Sequence, residues 1–452
     1  MKLLFLALAL CAIVFTEDIT KISKSQVPNE ESVAKEETEW RLKAIQKLWN
    51  ERRNMGHTPM AKFSPPGFPN ADIFFKNETA TTTRTLKHRF AWALLLWAIT
   101  EGKVTSKTSG VYDSTSGNTG SAEAYMCTLV GVPYYAVVAD NLEEEKVKQI
   151  ESFGGKIIKV REECLVVSRV GLVANSWQVP VSQRNLQAKK HAAEKNGFFM
   201  NQFGNAEKAE EFHESGDFYF ESTNVYHEII VQLKKEKEQA VKIPDYFVHS
   251  AGTGGTISSV GRYIARYGAP TKVILSDSQY SLFYDYVIGH KFTNQSGAGI
   301  WTPPGIAGIG YGYDIEPVLY GQTTSLTRNV IHEAMRMPDI ASVAAMRILD
   351  EKGYNVGPST SLNFLVSLYK AYQKKAKQSP IKHRLTIVTL ACDPGDFYRS
   401  TYLKDEWVEK SFKKFGGVEG MECWKKLIQE SIDTGSDFVS KGLTMCPGSY
   451  KV

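Results

Sequence analysis

Two short polar loops, each set between an apolar run and a helical pattern, constrain the fold of this chain more than any other feature. The first, STSGNTG at residues 114–120, combines hydroxyl residues, two glycines and an asparagine. It follows a strand signal over 110–113. It precedes SAEAYMCTLVG, residues 121–131, where apolar residues recur at helical spacing and a glycine stands where a C-cap belongs. The second loop, AGTGGT at 251–256, follows a strand pattern over 245–250 (DYFVHS) and opens a helical pattern over 257–267 that Gly268 closes. Between the two lie a strand over 133–139, a helix over 142–153 ended by Gly154 and Gly155, and a strand over 156–160. A further strand pattern, LTIVTL at 385–390, precedes a turn at 392–396. Alternation of this kind predicts parallel strands joined by crossover helices, an α/β fold with helices on the sheet faces.

What the loops hold is open at this level. A polar, glycine-bearing loop at a helix start presents unpaired N–H groups and the positive end of the helix dipole, which suits an anion. The same composition also makes an ordinary turn. AGTGGT lacks the lysine of a P-loop and the spacing of a dinucleotide loop. A third feature is Lys87, which follows a Thr-rich loop in KNETATTTRTLKHR and heads the apolar pattern RFAWALLLWAITEG. Facing a sheet end and desolvated, such a lysine can bond a carbonyl cofactor; solvated, it is a surface residue.

At 452 residues the chain exceeds one small core, so two lobes with appendages are expected. The net charge of +5 comes from interspersed signs, which argues against a nucleic-acid surface. The N-terminus pairs Lys2 with an apolar run over residues 3–15, a secretory signal pattern too short to span a bilayer as a helix. Cleavage near Thr16 is expected, leaving no membrane segment. Removal of residues 1–16 leaves Cys127, Cys164, Cys392, Cys423 and Cys446, an odd set, with Cys423 and Cys446 together in the tail as the expected disulfide. Sequons stand at Asn77 and Asn294. Glycan is expected at Asn294, whereas Asn77 lies in a strand running toward the site. No metal site is expected.

The motifs, taken in order, resemble those of the cysteine synthase and cystathionine beta-synthase family, fold-type II enzymes that use pyridoxal 5'-phosphate. MGHTPM at Met55 is similar to the family's I-G-N-T-P-L, and Lys76 with Glu78 precedes the lysine motif at the family's spacing. STSGNTG, NQFGN at Asn201, GTGGT at Gly252, GIGYGY at Gly308, GPSTS at Gly357 and CDPGDFYRSTY at Cys392 follow. The resemblance covers about residues 55 to 402. It implies two three-layer α/β lobes meeting at an active-site cleft. The small lobe spans 81–200 and the large cofactor-binding lobe 55–80 with 201–402, flanked by a helical arm over 17–54 and a helical tail over 403–452. It implies Lys87 as the Schiff-base lysine, Asn118 at the cofactor ring oxygen, and Gly252, Thr253, Gly254, Gly255 and Thr256 around the phosphate. Ser359 would face the pyridine nitrogen, as well as capping the following helix. Thr115, Ser116, Thr119 and Gln202 would bind the carboxylate of an amino-acid substrate, and a homodimer is implied.

A neutral hydroxyl at the pyridine nitrogen leaves the ring a weaker electron sink than an aspartate would, which favours elimination at Cβ. The implied reaction is β-elimination from a serine- or cysteine-like substrate, followed by β-replacement, as in cysteine synthase. A serine or threonine dehydratase or a cysteine desulfhydrase is the nearest alternative, and a secreted, catalytically inactive binding protein is the alternative of another class. The lysine motif departs from N-P-x-G-S-x-K-D-R at Thr81, Thr82, Arg84, Thr85 and His88. Arg84 in place of glycine puts a left-handed backbone in question, and its charge would suit selection of an acidic substrate.

Overall fold

The structure, a computed structural model, describes residues 35–160, 181–206, 208–209, 224–236, 242–289, 304–312, 324–376 and 383–448. The signal pattern, Cys164 and Asn294 lie outside these residues. The strands are β1 Met60–Phe63, β2 Ala71–Asn77, β3 Val111–Ser114, β4 Tyr134–Ala139, β5 Gly155–Val160, β6 Phe198–Phe199, β7 Tyr246–Ser250, β8 Lys272–Ser278, β9 Glu333–Met337 and β10 Leu385–Ala391. They form a six-stranded sheet in the order β1-β2-β10-β7-β8-β9 and a four-stranded sheet in the order β5-β4-β3-β6. Every pairing is parallel except β1 with β2.

Successive residues in the strands of the larger sheet go to opposite cores. Phe75, Val248, Ile274 and Ile387 pack beneath the helices Asp339–Glu351 and Pro358–Ala376. Their neighbours Phe74, Phe247, Val273 and Val388 pack against the helices Val225–Leu233 and Gly255–Arg266. A parallel sheet covered on both faces needs such unbroken apolar strands, and the result is three layers. The smaller sheet buries Val111, Tyr134, Ala136 and Val138 against the helices Lys87–Thr100 and Asn118–Val130.

The expected boundaries shift by one to three residues, most at Asn118, where the helix starts inside the polar loop rather than at Ser121. The left-handed Gly131, φ 82°, closes that helix as expected. The helix closing the βα unit after β4 spans Glu144–Ser152, shorter at both ends than the pattern predicted. Ser359 is not an N-cap: Pro358 already starts the helix, because its fixed φ and missing N–H suit the first helical position.

The N-terminal arm is the helix Lys35–Met55, which buries Ala44 and Leu48 in the core of the smaller sheet. Trp92 Nε1 donates to Leu48 O at 2.7 Å, and Trp49 meets the Trp92 ring edge-on at 5.1 Å. In the tail, the helices Asp405–Ser411, Gly417–Thr434 and Phe438–Met445 add Val408, Met421, Trp424, Ile428 and Phe438 to the core of the larger sheet. Cys423 and Cys446 form the expected disulfide, Cα atoms 5.6 Å apart and 23 residues apart in sequence. Cys127 and Cys392 are free and buried. Closing a loop of that length restricts the unfolded chain by about 3 kcal/mol. The Cys423→Ala/Cys446→Ala double variant is therefore expected to unfold at lower denaturant, with the wild type converging on it under reductant.

Candidate active site

In open parallel sheets, ligands gather beyond the carboxyl ends of the strands. Here the ends of β2, β7 and β10 lie side by side, since β10 pairs with both β2 and β7, and Asn77 is level with Ala391. Glu78 follows β2, the glycine loop follows β7, and Cys392 and Asp393 follow β10. Leu86 N–H donates to Cys392 O at 2.8 Å, so the turn before Lys87 is fastened to the end of β10. Lys87 begins its helix with its N–H donating to Thr85 Oγ1 at 2.9 Å.

The Lys87 side chain is half-buried, its ammonium 5.2 Å from the Phe90 ring centroid. Burial lowers its pKa to about 8, against the opposing pull of Cys392 and Glu123. No described residue forms an ion pair with it. Ser359, buried, hydrogen-bonds the Cys392 side chain and so sits beside the same group as Lys87. His249, near the end of β7, is pushed down to about 3 by burial and by the charge of Lys87, and is therefore neutral. Asn363 lies 3.3 Å from its Nδ1.

The glycine loop opens the helix Gly255–Arg266, two residues earlier than expected, with Gly254 left-handed at φ 87° as N-cap. A Cβ on Gly252 would lie 2.3 Å from Gly308 O, and one on Gly254 2.5 Å from Leu326 N, so only glycine permits these backbones to approach. Thr253 O accepts from Ser325 N–H at 2.6 Å and Gly310 N–H donates to Ala251 O at 2.8 Å, which locks the loop's shape. Among the described residues nothing accepts from the N–H groups of Gly252, Thr253 or Gly254. A cavity lined by Leu86, Phe90, Gly255 and Thr256 joins the loop to the first turn of the lysine helix.

STSGNTG is built differently. Thr115 is buried with its Oγ1 turned inward, accepting from Gly117 N–H at 3.1 Å and Gly120 N–H at 2.9 Å. Ser116 is exposed. Thr119 Oγ1 donates to Gln202 Oε1 at 2.8 Å, and Gln202 Nε2 to Ser114 O at 2.6 Å, so these two residues meet although 83 positions separate them. Asn118 Nδ2 donates to Asp393 Oδ2 at 2.8 Å, which brings this loop to the end of β10, and its buried Oδ1 has no partner among the described residues.

The remodelled lysine loop is held by new partners. Arg84 does adopt the left-handed backbone, φ 60°, at a cost of about 1–2 kcal/mol for a residue with Cβ. Its guanidinium is exposed but already engaged by an acid of this chain: Nη2 donates to both carboxylate oxygens of Asp396, at 3.0 and 2.9 Å, and the group lies over Phe397. His88 Nε2 meets Glu51 Oε1 of the N-terminal helix at 3.2 Å. Beneath the first turn of the lysine helix runs a buried ionic network. Arg89 donates to Glu78 Oε2 at 2.7 Å and to both oxygens of Glu228, at 2.6 and 2.9 Å, while Lys76 reaches Glu228 at 2.8 Å.

In the sequence Cys392 and Asp393 stand within one motif, whereas Asp113, Glu123, Glu228 and His249 belong to no expected site. The available signal was charge inside apolar runs: Asp113 and His249 stand in strands, Glu123 and Glu228 in apolar helices. A charge there is buried and needs partners.

Two parallel-sheet cores with a lysine helix, a glycine cradle and a hydroxyl-rich loop at their strand ends define the architecture of fold-type II pyridoxal-phosphate enzymes. The chain belongs to the pyridoxal-phosphate dependent enzyme family, whose pattern residues 52–393 match. It is 84% identical over 454 aligned residues, the full length of both chains, to a Caenorhabditis elegans protein described as pyridoxal-phosphate dependent. It is 31% identical over 374 residues, 82% of this chain and 89% of the relative, to the L-cysteine desulfhydrase of Mycobacterium tuberculosis. Among solved structures, a hydrogen sulfide-producing enzyme of Fusobacterium nucleatum shares the fold, with a TM-score of 0.59 over 78% of this chain and 98% of that chain at 20% identity. The residues fit the cofactor: the unclaimed N–H groups of the glycine cradle suit a phosphate, and a partly deprotonated amine suits an aldehyde.

Proposed function

We propose that this chain catalyses β-elimination or β-replacement on a serine- or cysteine-like amino acid, with Lys87 as the residue that bonds pyridoxal 5'-phosphate and then removes the Cα proton. One observation carries the reading. Among the described residues Lys87 has no ion-pair partner, burial lowers its pKa to about 8 beside Cys392, whose side chain Ser359 also meets, and Leu86 just before it lines one cavity with the glycine loop. An amine so placed is a nucleophile and a general base at neutral pH.

When bound, the cofactor supplies electron withdrawal from the substrate Cα. The chain supplies the rest. The N–H groups of Gly252 to Thr256 would hold the phosphate. The Asn118 amide, now donated to Asp393, is the donor for the ring oxygen, and Ser359 offers the ring nitrogen a hydroxyl rather than a carboxylate. Thr119 with Gln202, and the backbone that the Thr115 hydroxyl shapes, orient the substrate carboxylate, with Ser116 at the open rim. Within this class, sulfide release from cysteine is the version that the 31% identical desulfhydrase supports. Assay of the purified protein with cysteine, and with an activated serine plus sulfide, separates elimination from replacement. Silence in both, with cofactor bound, would favour the binding-protein alternative.

The pH dependence of cofactor capture follows from the amine. Only neutral Lys87 attacks an aldehyde, and its pKa is about 8. The rate at which the visible band forms with added cofactor is expected to climb as pH rises toward 8 and to level off above it. A flat rate over that range would refute the assignment. We further propose that the chain enters the secretory pathway, a reading supported by the apolar run over 3–15 and by the disulfide, and that it acts as a homodimer. N-terminal sequencing of the mature protein and its mass in solution test these two points.

A further inference from the structure

Asp393 follows β10, and its carboxyl group is buried where the hydroxyl-rich loop meets the end of that strand. Its backbone O accepts from Gly357 N–H at 2.8 Å. A Cβ on Gly357 would lie 2.2 Å from Asp393 Oδ1, so only glycine lets the carboxyl group approach the turn before the helix Pro358–Ala376. Asp393 Oδ2 takes two donors: Tyr398 OH, and Asn118 Nδ2 at 2.8 Å from across the cleft. Lys146 backs this contact. Its ammonium lies 4.5 Å from the centroid of the Tyr398 ring, and a Cβ on Gly117 would lie 2.4 Å from its Cδ. The lysine therefore spans from the residue before Asn118 to the turn that carries Asp393. Ionised, or protonated on Oδ1, the carboxyl group offers Oδ2 only as an acceptor, so the nitrogen of the Asn118 amide must face it. Nδ2 carries two hydrogens; one is committed to Asp393 and the other is left for a ligand. The amide oxygen has no partner among the described residues, so among them Asp393 is what distinguishes the two ends of the amide.

We propose that Asp393 is a positioning residue for the cofactor: it fixes which way the Asn118 amide faces, so that an N–H rather than the carbonyl is offered to the ring oxygen. An amide turned the other way would set acceptor against acceptor. The hydrogen bond would be lost, and the ring oxygen would be favoured in its protonated form. With Asp393 in place the donor is fixed before the cofactor arrives, and no binding free energy is lost on turning the amide. The effect on the cofactor rests on the reading of Asn118 given above; the hold on the amide concerns the protein alone.

Two measurements on the full-length protein test this. The first is nuclear magnetic resonance of the cofactor-free protein labelled with nitrogen-15 asparagine, the Asn118 side-chain signal being identified by its loss in Asn118→Ala. Its two amide protons are expected to lie far apart in shift, one being bonded to a carboxyl group, and Asp393→Ala is expected to bring them together. The second is titration with pyridoxal phosphate, read as the dissociation constant and as the ratio of visible to near-ultraviolet absorbance. Asn118→Ala and Asp393→Ala are each expected to weaken binding about fivefold, the worth of one hydrogen bond, and to lower the ratio, because a donor favours the ionised ring oxygen. Since Asp393 acts through Asn118, the double variant is expected to match Asn118→Ala alone, whereas a merely structural role would multiply the two losses. The proposal is overturned if the wild-type Asn118 protons are not separated, if Asp393→Ala leaves their separation unchanged, or if the losses multiply. Should Asp393→Ala fail to fold, the wild-type signal still decides. If the amide signal is as expected and Asn118→Ala leaves affinity and ratio untouched, Asp393 holds the amide and it is the reading of Asn118 at the ring oxygen that falls.

Discussion

Lys87→Ala is expected to abolish the visible band formed with pyridoxal phosphate and to lower kcat/KM roughly 10⁴-fold, the upper end of what a lost general base costs, because the covalent anchor goes with it. The fold should survive. Among the described residues Lys87 has no ion pair to lose, and it heads a helix whose following turns are buried, while alanine is the best helix former. Removing a half-buried amine whose ionisation burial opposes should be close to neutral for stability. Absorption spectra, turnover and a thermal melt on the same sample check all three outcomes. A variant that keeps the band sinks the assignment of this lysine, whatever its activity.

Glu228→Gln is expected to be the most destabilising single change, by about 3–5 kcal/mol, the range for breaking a buried ionic network from one side. Glu228 is fully buried and faces three cations: Arg89 at 2.6 Å, Lys76 at 2.8 Å and Arg52 at 3.1 Å. Without its charge, Glu78 is left as the acid among the described residues that opposes them. Arg89 follows Lys87 by two residues, so the loosened network also frees the start of the lysine helix, and cofactor affinity should fall with stability. The pH sign is fixed by the same contacts. Arg89, Lys76 and Arg52 hold the Glu228 carboxyl far below the ordinary range, overcoming its burial. Its contribution is therefore complete above the unfolded value of about 4.3 and fades as pH falls below it. Denaturant unfolding at pH 7 and pH 4 should show a smaller gap between wild type and variant at the lower pH. An unchanged unfolding midpoint at pH 7 would show that the network contributes nothing net.

Much of the architecture was legible because it depends on local order. Strand, glycine-bearing loop and helix recur in one direction along the chain, and a short crossover helix leaves parallel pairing as the economical solution. The two loops and Lys87 were visible for the same reason, since backbone freedom at Gly254 and placement at a helix start are properties of neighbouring residues. The edge pair was not visible: β1 and β2 run antiparallel across the segment 64–70, with no two-residue turn signal to announce them. Nor was the tail's place. Its helices looked like an appendage, yet Trp424 and Phe438 are as buried as any residue of the sheet core.

By itself the sequence determined the fold class, the order of the loops, the chemical types placed at the strand ends and the cysteine pair of the tail, because each is written in spacing and composition along the chain. Only the tertiary structure decided which charges are buried and which groups share a hydrogen bond or an ion pair. Glu228 lies 139 residues from Arg89, Asn118 lies 275 from Asp393, and Thr119 lies 83 from Gln202. Such partners are chosen by how the sheets pack. Burial sets the strength of each charge by removing water, so the ammonium of Lys87 and the carboxylate of Glu228 take their properties from three-dimensional neighbours that no local pattern encodes.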